Sequence, residues 1–318
     1  MIRLIHFADA HIDLARQGRH DPQSGLPMRV LDFLKAFDTI IDTAISEKVD
    51  LVVFAGDAYR DRSPTPTYQR EWGKRIIRLS KAGIQTLLLV GNHDISPATG
   101  RAHTLQEFET LQIANVRVIS KPCLLGPEDL NGLQVQVIGI PWLNRSGMAA
   151  ALIDKEKKDP SDITKTIEGD LSDLIEHYKD KLDPALPAIF TGHLTVQGAT
   201  YGNERSVMLG RDFILPGSLL RDARLDYVAL GHIHKFQDLN LEGNPPIIYP
   251  GSIEKIDFGE KDDRKTFVLA EIERGNTEYK PIDLPGRKVI DKAVKITDAD
   301  KVQEQIYEEM PTEKVVKD

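Results

Sequence analysis

Five short polar motifs, strung along most of this 318-residue chain and each set behind an apolar run, constrain its fold more than any other feature. They are Asp9-Ala10-His11, Gly56-Asp57, Gly91-Asn92-His93-Asp94, Gly192-His193 and Gly231-His232-Ile233-His234. Five of the nine histidines fall inside them. Ile2–Ala8 reads as a strand ending at Asp9, Asp50–Ala55 as one ending at Gly56-Asp57, and Gln85–Val90 as one ending at Gly91-Asn92. Between them, Met28–Lys48 carries an apolar stripe at helical spacing (Val30, Leu31, Leu34, Phe37, Ile40, Ile41, Ala44, Ile45), and Tyr68–Ala82 reads as a helix stopped by Gly83. Strands alternating with helices predict an α/β chain with a parallel sheet. In such sheets ligands collect at the carboxyl ends of the strands, which is where Asp9, Asp57 and Asn92 stand.

The second half has shorter strands, at Gln134–Ile140, Ala188–Thr191, Tyr227–Leu230, Ile247–Tyr249 and Thr266–Glu273. A polar interval over Asn144–Pro187 interrupts them. It reads as an exposed loop, including Lys155–Asp159, followed by a solvated helix to about Lys181. After Pro281 the character changes. Asp283–Arg287 looks like a linker, and the rest gives a strand-like and a helix-like piece too small for a core of its own. The domains expected are therefore 1–282 and a small or shortened second unit over 283–318.

Imidazole and carboxylate ligands together suit divalent Mn, Fe or Zn. Residues two apart, such as Asp9 and His11 or His232 and His234, can share one ion if the backbone stays extended past the strand. Two cations about 3.5–4 Å apart need a bridging carboxylate, and Asp57 at a strand end is the choice here. The glycines ahead of the ligands would let the chain turn sharply. Any one of these pairs alone is commonplace; five in order, each behind a strand, are not.

No apolar run is long enough to span a membrane, and the short apolar start runs straight into a motif, so the expected location is the cytoplasm. The lone Cys123 makes no internal disulfide and reads as a structural thiol. The net charge of −8 argues weakly against a nucleic-acid binder. Charge is uneven, however, and residues 60–81 carry seven basic side chains against two acidic. That stretch could lie along a phosphate backbone or be a solvated face with Trp72, Ile76, Ile77 and Leu79 turned inward.

The motif order resembles the calcineurin-like metallophosphoesterase superfamily over about Met1–Lys280. The resemblance implies a four-layer α/β/β/α sandwich of two mixed sheets with helices outside. Carried over motif by motif, it implies one metal held by Asp9, His11, Asp57 and His234, and a second by Asp57, Asn92, His193 and His232. His93 would contact the phosphate and assist the leaving oxygen, and Asp94 would orient His93.

Three further stretches narrow the likeness: His6–Asp13, Gly56–Thr67, and above all Pro250-Gly251-Ser252-Ile253-Glu254-Lys255-Ile256-Asp257-Phe258-Gly259-Glu260. They are similar to the SbcD/Mre-eleven nucleases. That family implies a manganese-dependent exonuclease and endonuclease acting on DNA double-strand ends and single strands in a break-repair complex. It implies a homodimer built through Tyr68–Ala82 and His103–Leu111, and a partner ATPase of the SbcC/Rad-fifty type. Arg60 stands where some relatives have histidine; with Arg62 it could clamp DNA phosphates, since guanidinium suits phosphate, or be a solvated surface arginine. The C-terminal part is shorter than the family usually has. Two alternatives stand beside this: a phosphodiesterase for small substrates of the cyclic-nucleotide type, and a DNA-end scaffold without catalysis, against which the complete ligand set argues.

Overall fold

A computed structural model describes residues 1–14, 18–96, 101–143, 160–202, 214–241, 243–290 and 292–310. The strands in chain order are β1 (Ile2–Phe7), β2 (Leu51–Phe54), β3 (Gln85–Leu89), β4 (Val116–Ile119), β5 (Cys123–Leu125), β6 (Gln136–Ile140) and β7 (Ala188–His193). There follow β8 (Thr195–Val196), β9 (Ile214–Leu215), β10 (Tyr227–Gly231), β11 (Gln237–Asp238), β12 (Ile247–Tyr249), β13 (Thr266–Glu273) and β14 (Asn276–Asp283). The helices are α1 (Met28–Ser46), α2 (Pro66–Lys81), α3 (Gln106–Leu111), α4 (Pro160–Lys179), α5 (Gly217–Leu220) and α6 (Val302–Glu309).

Two six-stranded sheets result, ordered β14-β13-β1-β2-β3-β4 and β11-β12-β10-β7-β6-β5. In the first sheet β1 to β4 run parallel and β13 and β14 pair antiparallel; in the second β12, β10, β7 and β6 run parallel and both edges, β11 and β5, antiparallel, so both sheets are mixed. Alternation along each strand explains the layering. Leu4, Leu51, Val53 and Leu87 of the first sheet meet Val137, Ile189, Ala229 and Ile248 of the second in one inner cluster. The opposite faces of β1, β2 and β3, through Phe7, Phe54 and Leu88, pack on α1 and α2. Ile138, Phe190 and Val228 turn outward onto Leu171 and Ile175 of α4. Strands buried on both faces need continuous apolar runs, as β2 shows with Leu-Val-Val-Phe. The expected four-layer α/β/β/α arrangement is what forms.

Trp72 anchors the α1–α2 layer. It is fully buried, with ring centroids 4.7 Å from Phe37 and 4.8 Å from Phe54. Truncating such a side chain typically costs about 3–5 kcal/mol. The basic stretch has two parts. On α2, Arg75 binds Asp38 at 2.6 Å, Arg78 binds Asp38 and Asp42, and Arg70 and Lys74 hold Glu71. These charges tie α2 to α1 and to itself. Trp72, Ile76 and Leu79 face inward, but Ile77 is 38% exposed.

His6 forms a polar crosslink between the sheets. His6 Nε2 donates to the Leu230 carbonyl at 3.1 Å, so Nδ1 accepts from the Tyr227 hydroxyl at 3.1 Å. Burial pulls the His6 pKa down to about 3, against the Leu230 carbonyl, so the ring is neutral.

The chain after Pro281 departs from expectation. β14 runs on to Asp283, and Leu284 still packs in the core. Residues 285–290 and 292–298 form no strand. The helix-like piece exists as α6, with no buried residue. The run Lys155–Asp159 lies outside the described residues.

Candidate functional site: a basin of imidazoles and carboxylates

The carboxyl ends of β1, β2 and β3 in one sheet, and of β7 and β10 in the other, open onto the same basin. Asp9 and His11 follow β1, Asp57 follows β2, Asn92 follows β3, His193 ends β7, and His232 and His234 follow β10. All seven come together. Asp9, His11 and His234 offer ligand atoms within 4.8 Å of one another, and so do Asp9, Asp57 and His193. Asn92 Oδ1 lies 2.9 Å from His193 Nε2 and 3.0 Å from His232 Nδ1. Asp57 stands between the groups, its Oδ2 3.4 Å from His193 Nε2 and 3.7 Å from His11 Nε2.

The backbone reaches this arrangement by strain rather than by extension. Asp9, His11, Asp57 and His232 have φ of 51°, 39°, 66° and 94°, a region most side chains avoid. Asp9 and His11 therefore converge from a tight turn, not from the extended segment that their spacing suggested. The turn is held by the amides of Ala10 and His11 on the Asp57 carbonyl at 2.9 and 3.2 Å, and by the His232 amide on both Asp9 oxygens. The glycines act in two ways. Gly56, at φ 101°, does turn the chain. Gly231 is needed for close approach instead, since a Cβ there would stand 2.1 Å from the Ala55 carbonyl oxygen.

Three imidazoles are fixed by the same device. His11 Nδ1 donates to the Tyr59 carbonyl at 3.3 Å, His193 Nδ1 to the Ala55 carbonyl at 2.7 Å, and His234 Nδ1 faces Glu260 Oε1 at 3.1 Å. Carbonyls only accept, so in His11 and His193 the proton sits on Nδ1 and the Nε2 lone pair points into the basin. His11 Nε2 is buried with no hydrogen-bond partner. His193 Nε2 faces two oxygens, those of Asn92 and Asp57. A lone pair confronting acceptors calls for a cation or a proton between them. The donor set of imidazole, carboxylate and amide oxygen thus fits hard or borderline divalent ions.

The ionisation pattern agrees. Burial opposes charge on His193, but Asp57, Asp9 and the Ala55 carbonyl overcome it and carry the ring up to about 9. Burial likewise opposes the Asp57 carboxylate, yet His193, His93 and His11 hold it well below the ordinary range. Asp9 is pushed up to about 7, mainly by burial, and His11 is driven well down, also by burial. The protein alone meets the basin's charge with protons, and a cation would displace them.

His93 borders the basin, its ring 5.1 Å from that of His11. Its Nδ1 donates to the Arg60 carbonyl at 2.9 Å, and its amide donates to Asp57 Oδ1 at 2.8 Å. With Arg60, Asp61, Arg62, Asp13 and Leu14 it lines a hollow of about 370 Å³. Asp94 does something other than orient the His93 ring. Its carboxylate accepts from the amides of Gly91, Asp57 and Ala58 and from the Thr104 hydroxyl at 2.8 Å. It pins the two ligand-bearing turns to each other, and burial, with Asp57 nearby, raises it to about 6.

Sequence reasoning missed Glu260, which is 2% exposed. Burial works against its charge, but His234 and Lys265 hold it down at about 2. Its only signal was its place at the end of the Pro250–Glu260 block. Trp142, whose ring lies 5.1 Å from His232, was also missed. It follows β6, at the same sheet end as the ligands. Cys123 is partly buried, and burial raises its thiol pKa, as a structural thiol requires. Among the described residues no helix is long and apolar enough to cross a membrane.

The family model for calcineurin-like phosphoesterases matches residues 2–236. The chain is 28% identical to the SbcD component of the SbcCD nuclease of Escherichia coli K12 over 298 residues, covering 87% of this chain and 66% of that protein. It is 40% identical to DNA double-strand break repair protein Mre11 of Halobacterium salinarum over 133 residues, 42% of this chain and 32% of that one. It is 26% identical to the uncharacterised metallophosphoesterase YhaO of Bacillus subtilis over 280 residues, 87% and 59% respectively. The chain therefore spans at most about two thirds of each relative. By fold, basin and match, the chain belongs to the calcineurin-like phosphoesterase family, a family of metal-dependent hydrolases, and is homologous to the SbcD and Mre11 nucleases.

Proposed function

We propose that this chain is the nuclease part of a DNA break-repair complex, cutting phosphodiesters with two divalent cations, manganese in the first instance. The observation that carries the reading is Asp57 Oδ2 standing between the two groups, 3.7 Å from His11 Nε2 and 3.4 Å from His193 Nε2, with neither nitrogen offered a hydrogen-bond donor. Likeness to a nuclease subunit over 87% of the chain, and to a DNA double-strand break repair protein over 42% of it, supports DNA as the substrate.

Asp9, His11, Asp57 and His234 would hold one cation, and Asp57, Asn92, His193 and His232 the other. Bound there, the cations would offset phosphate charge and lower the pKa of a water. The chain's own residues have separate tasks. His93 commits its Nδ1–H to the Arg60 carbonyl and presents Nε2, which in the protonated imidazolium form can hand its proton to the departing oxygen and leave the ring neutral with the proton on Nδ1. Arg60 and Arg62, both exposed beside His93, suit the phosphates flanking the scissile one. Asp94 keeps the turns of β2 and β3 in register.

The partners belong to the same proposal. A homodimer would use α2 and α3, where Ile77 is 38% and Leu111 68% exposed. An ATPase of the SbcC/Rad-fifty type would dock through the C-terminal region, with 1–282 as the nuclease domain and 283–318 as the start of a capping domain.

The test is a manganese titration with linear duplex DNA, single-stranded DNA and a chromogenic phosphodiester. Metal-dependent cutting of both DNAs is expected. Hydrolysis of the small diester alone would instead indicate a small-substrate phosphodiesterase, and DNA binding without any cutting would indicate a scaffold.

A further inference from the structure

The peptide unit joining Arg60 to Asp61 is gripped from both sides. Its carbonyl accepts from His93 Nδ1 at 2.9 Å. Its N–H, on Asp61, donates to Asp13 Oδ2 at 3.2 Å. In a trans peptide these two groups point in opposite directions, so Asp13 and His93 hold one plane from its two edges. The other Asp13 oxygen accepts from the Arg60 amide at 2.5 Å. Asp13 is 2% exposed and belongs to neither ligand triad. A carboxylate suits this position because both of its oxygens only accept, and bonds from amides to a charged acceptor are strong.

We infer that Asp13 is the positioning residue for His93. By fixing the Arg60–Asp61 peptide plane it aims the Arg60 carbonyl at His93 Nδ1. That keeps a proton on Nδ1 in both the neutral and the imidazolium ring and leaves Nε2 as the nitrogen that carries and releases the proton toward the substrate. Without Asp13 the plane can rotate, the carbonyl leaves the ring, and His93 samples both tautomers and other orientations. The inference rests on the role given to His93 under Proposed function.

The experiment is a double-mutant cycle on the manganese-loaded protein, with a chromogenic phosphodiester as substrate and calorimetry of Mn²⁺ binding alongside. Asp13→Ala is expected to lower kcat about 10–100-fold, the scale of a misaligned catalytic group, with KM and metal stoichiometry unchanged. In a His93→Ala background the same substitution should change kcat by less than about two-fold, because the group it positions is gone. Asp13→Asn, which keeps one acceptor oxygen, should recover part of the loss, and it serves in the cycle if the alanine variant does not fold. Imidazole ¹⁵N shifts give a readout independent of turnover: His93 in the parent is protonated at Nδ1, and in the Asp13 variants the two nitrogens should average. Equal losses in both backgrounds, or an unchanged tautomer, would overturn the role of Asp13 alone. Full turnover by His93→Ala would overturn both this inference and the acid role it rests on.

Discussion

At the scale of residues, the basin is held by groups that never touch a cation. Glu260 faces His234 Nδ1 at 3.1 Å and is itself braced by Lys265 at 2.8 Å and the Ile256 amide at 2.8 Å. Removing such a partner usually weakens metal binding about 10–100-fold. Glu260→Ala should do so by calorimetry with Mn²⁺, and an unaltered affinity would refute the bracing role. Gly231→Ala tests close approach. Its Cβ would press on the Ala55 carbonyl, which also anchors His193. A loss of about 1–3 kcal/mol in urea unfolding is expected, and an unchanged midpoint would contradict it. The convergence of seven basin residues was legible because each stands at a strand end in a fixed motif order. Glu260 and Asp13 were not, since a carboxylate that serves buried amides or a ring N–H has the same sequence signature as a surface acid. Asp94 was legible as important, but its actual partners are backbone amides and a hydroxyl, which sequence does not reveal.

At the scale of elements, legibility followed burial. β1, β2, β3, β10 and β12 are apolar runs buried by layers on both sides, and the hydrophobic pattern found them, as it found β13 from its one buried face. β14 went unread because its residues alternate between exposed and half-buried, and its stability comes from an eight-residue antiparallel ladder with β13 rather than from its own apolar content. Short β4 and β5 escaped for the same reason. The end of α4 shows charge doing what apolar packing does elsewhere. Fully buried Lys179 reaches Asp222 at 3.0 Å and Glu176 at 2.6 Å, and Arg224 binds Asp222 at 2.6 Å. Hydrogen bonds from Arg224, then Lys179, outweigh burial and hold the Asp222 pKa far below its ordinary 3.8. A depressed carboxyl pKa stabilises the fold above the unfolded value and ceases to do so as pH falls through the folded one. Asp222→Asn should therefore cost about 1–2 kcal/mol at pH 7, the low end for bonds to charged groups because solvent screens part of the cluster. The cost should persist to pH 5 and shrink at pH 3. Urea midpoints at the three pH values decide it; a gap that widens on acidification would contradict the assignment.

At the scale of the whole molecule, two sheets bring their carboxyl ends to one place, and the function depends on that registration. The inner apolar cluster and the His6–Tyr227 crosslink set how the sheets lie against each other. The first sheet supplies Asp9, His11, Asp57 and Asn92, and the second supplies His193, His232 and His234. Neither sheet alone supplies all seven side chains of the basin. The most direct test is the number of Mn²⁺ ions bound per chain at saturation, measured by equilibrium dialysis on the parent and on Asp57→Ala. Two ions on the parent and at most one, weakly held, on the variant are expected. A parent that saturates at one ion or none, or a variant that still binds two with parental affinity, would contradict convergence of these side chains on a shared pair of cations.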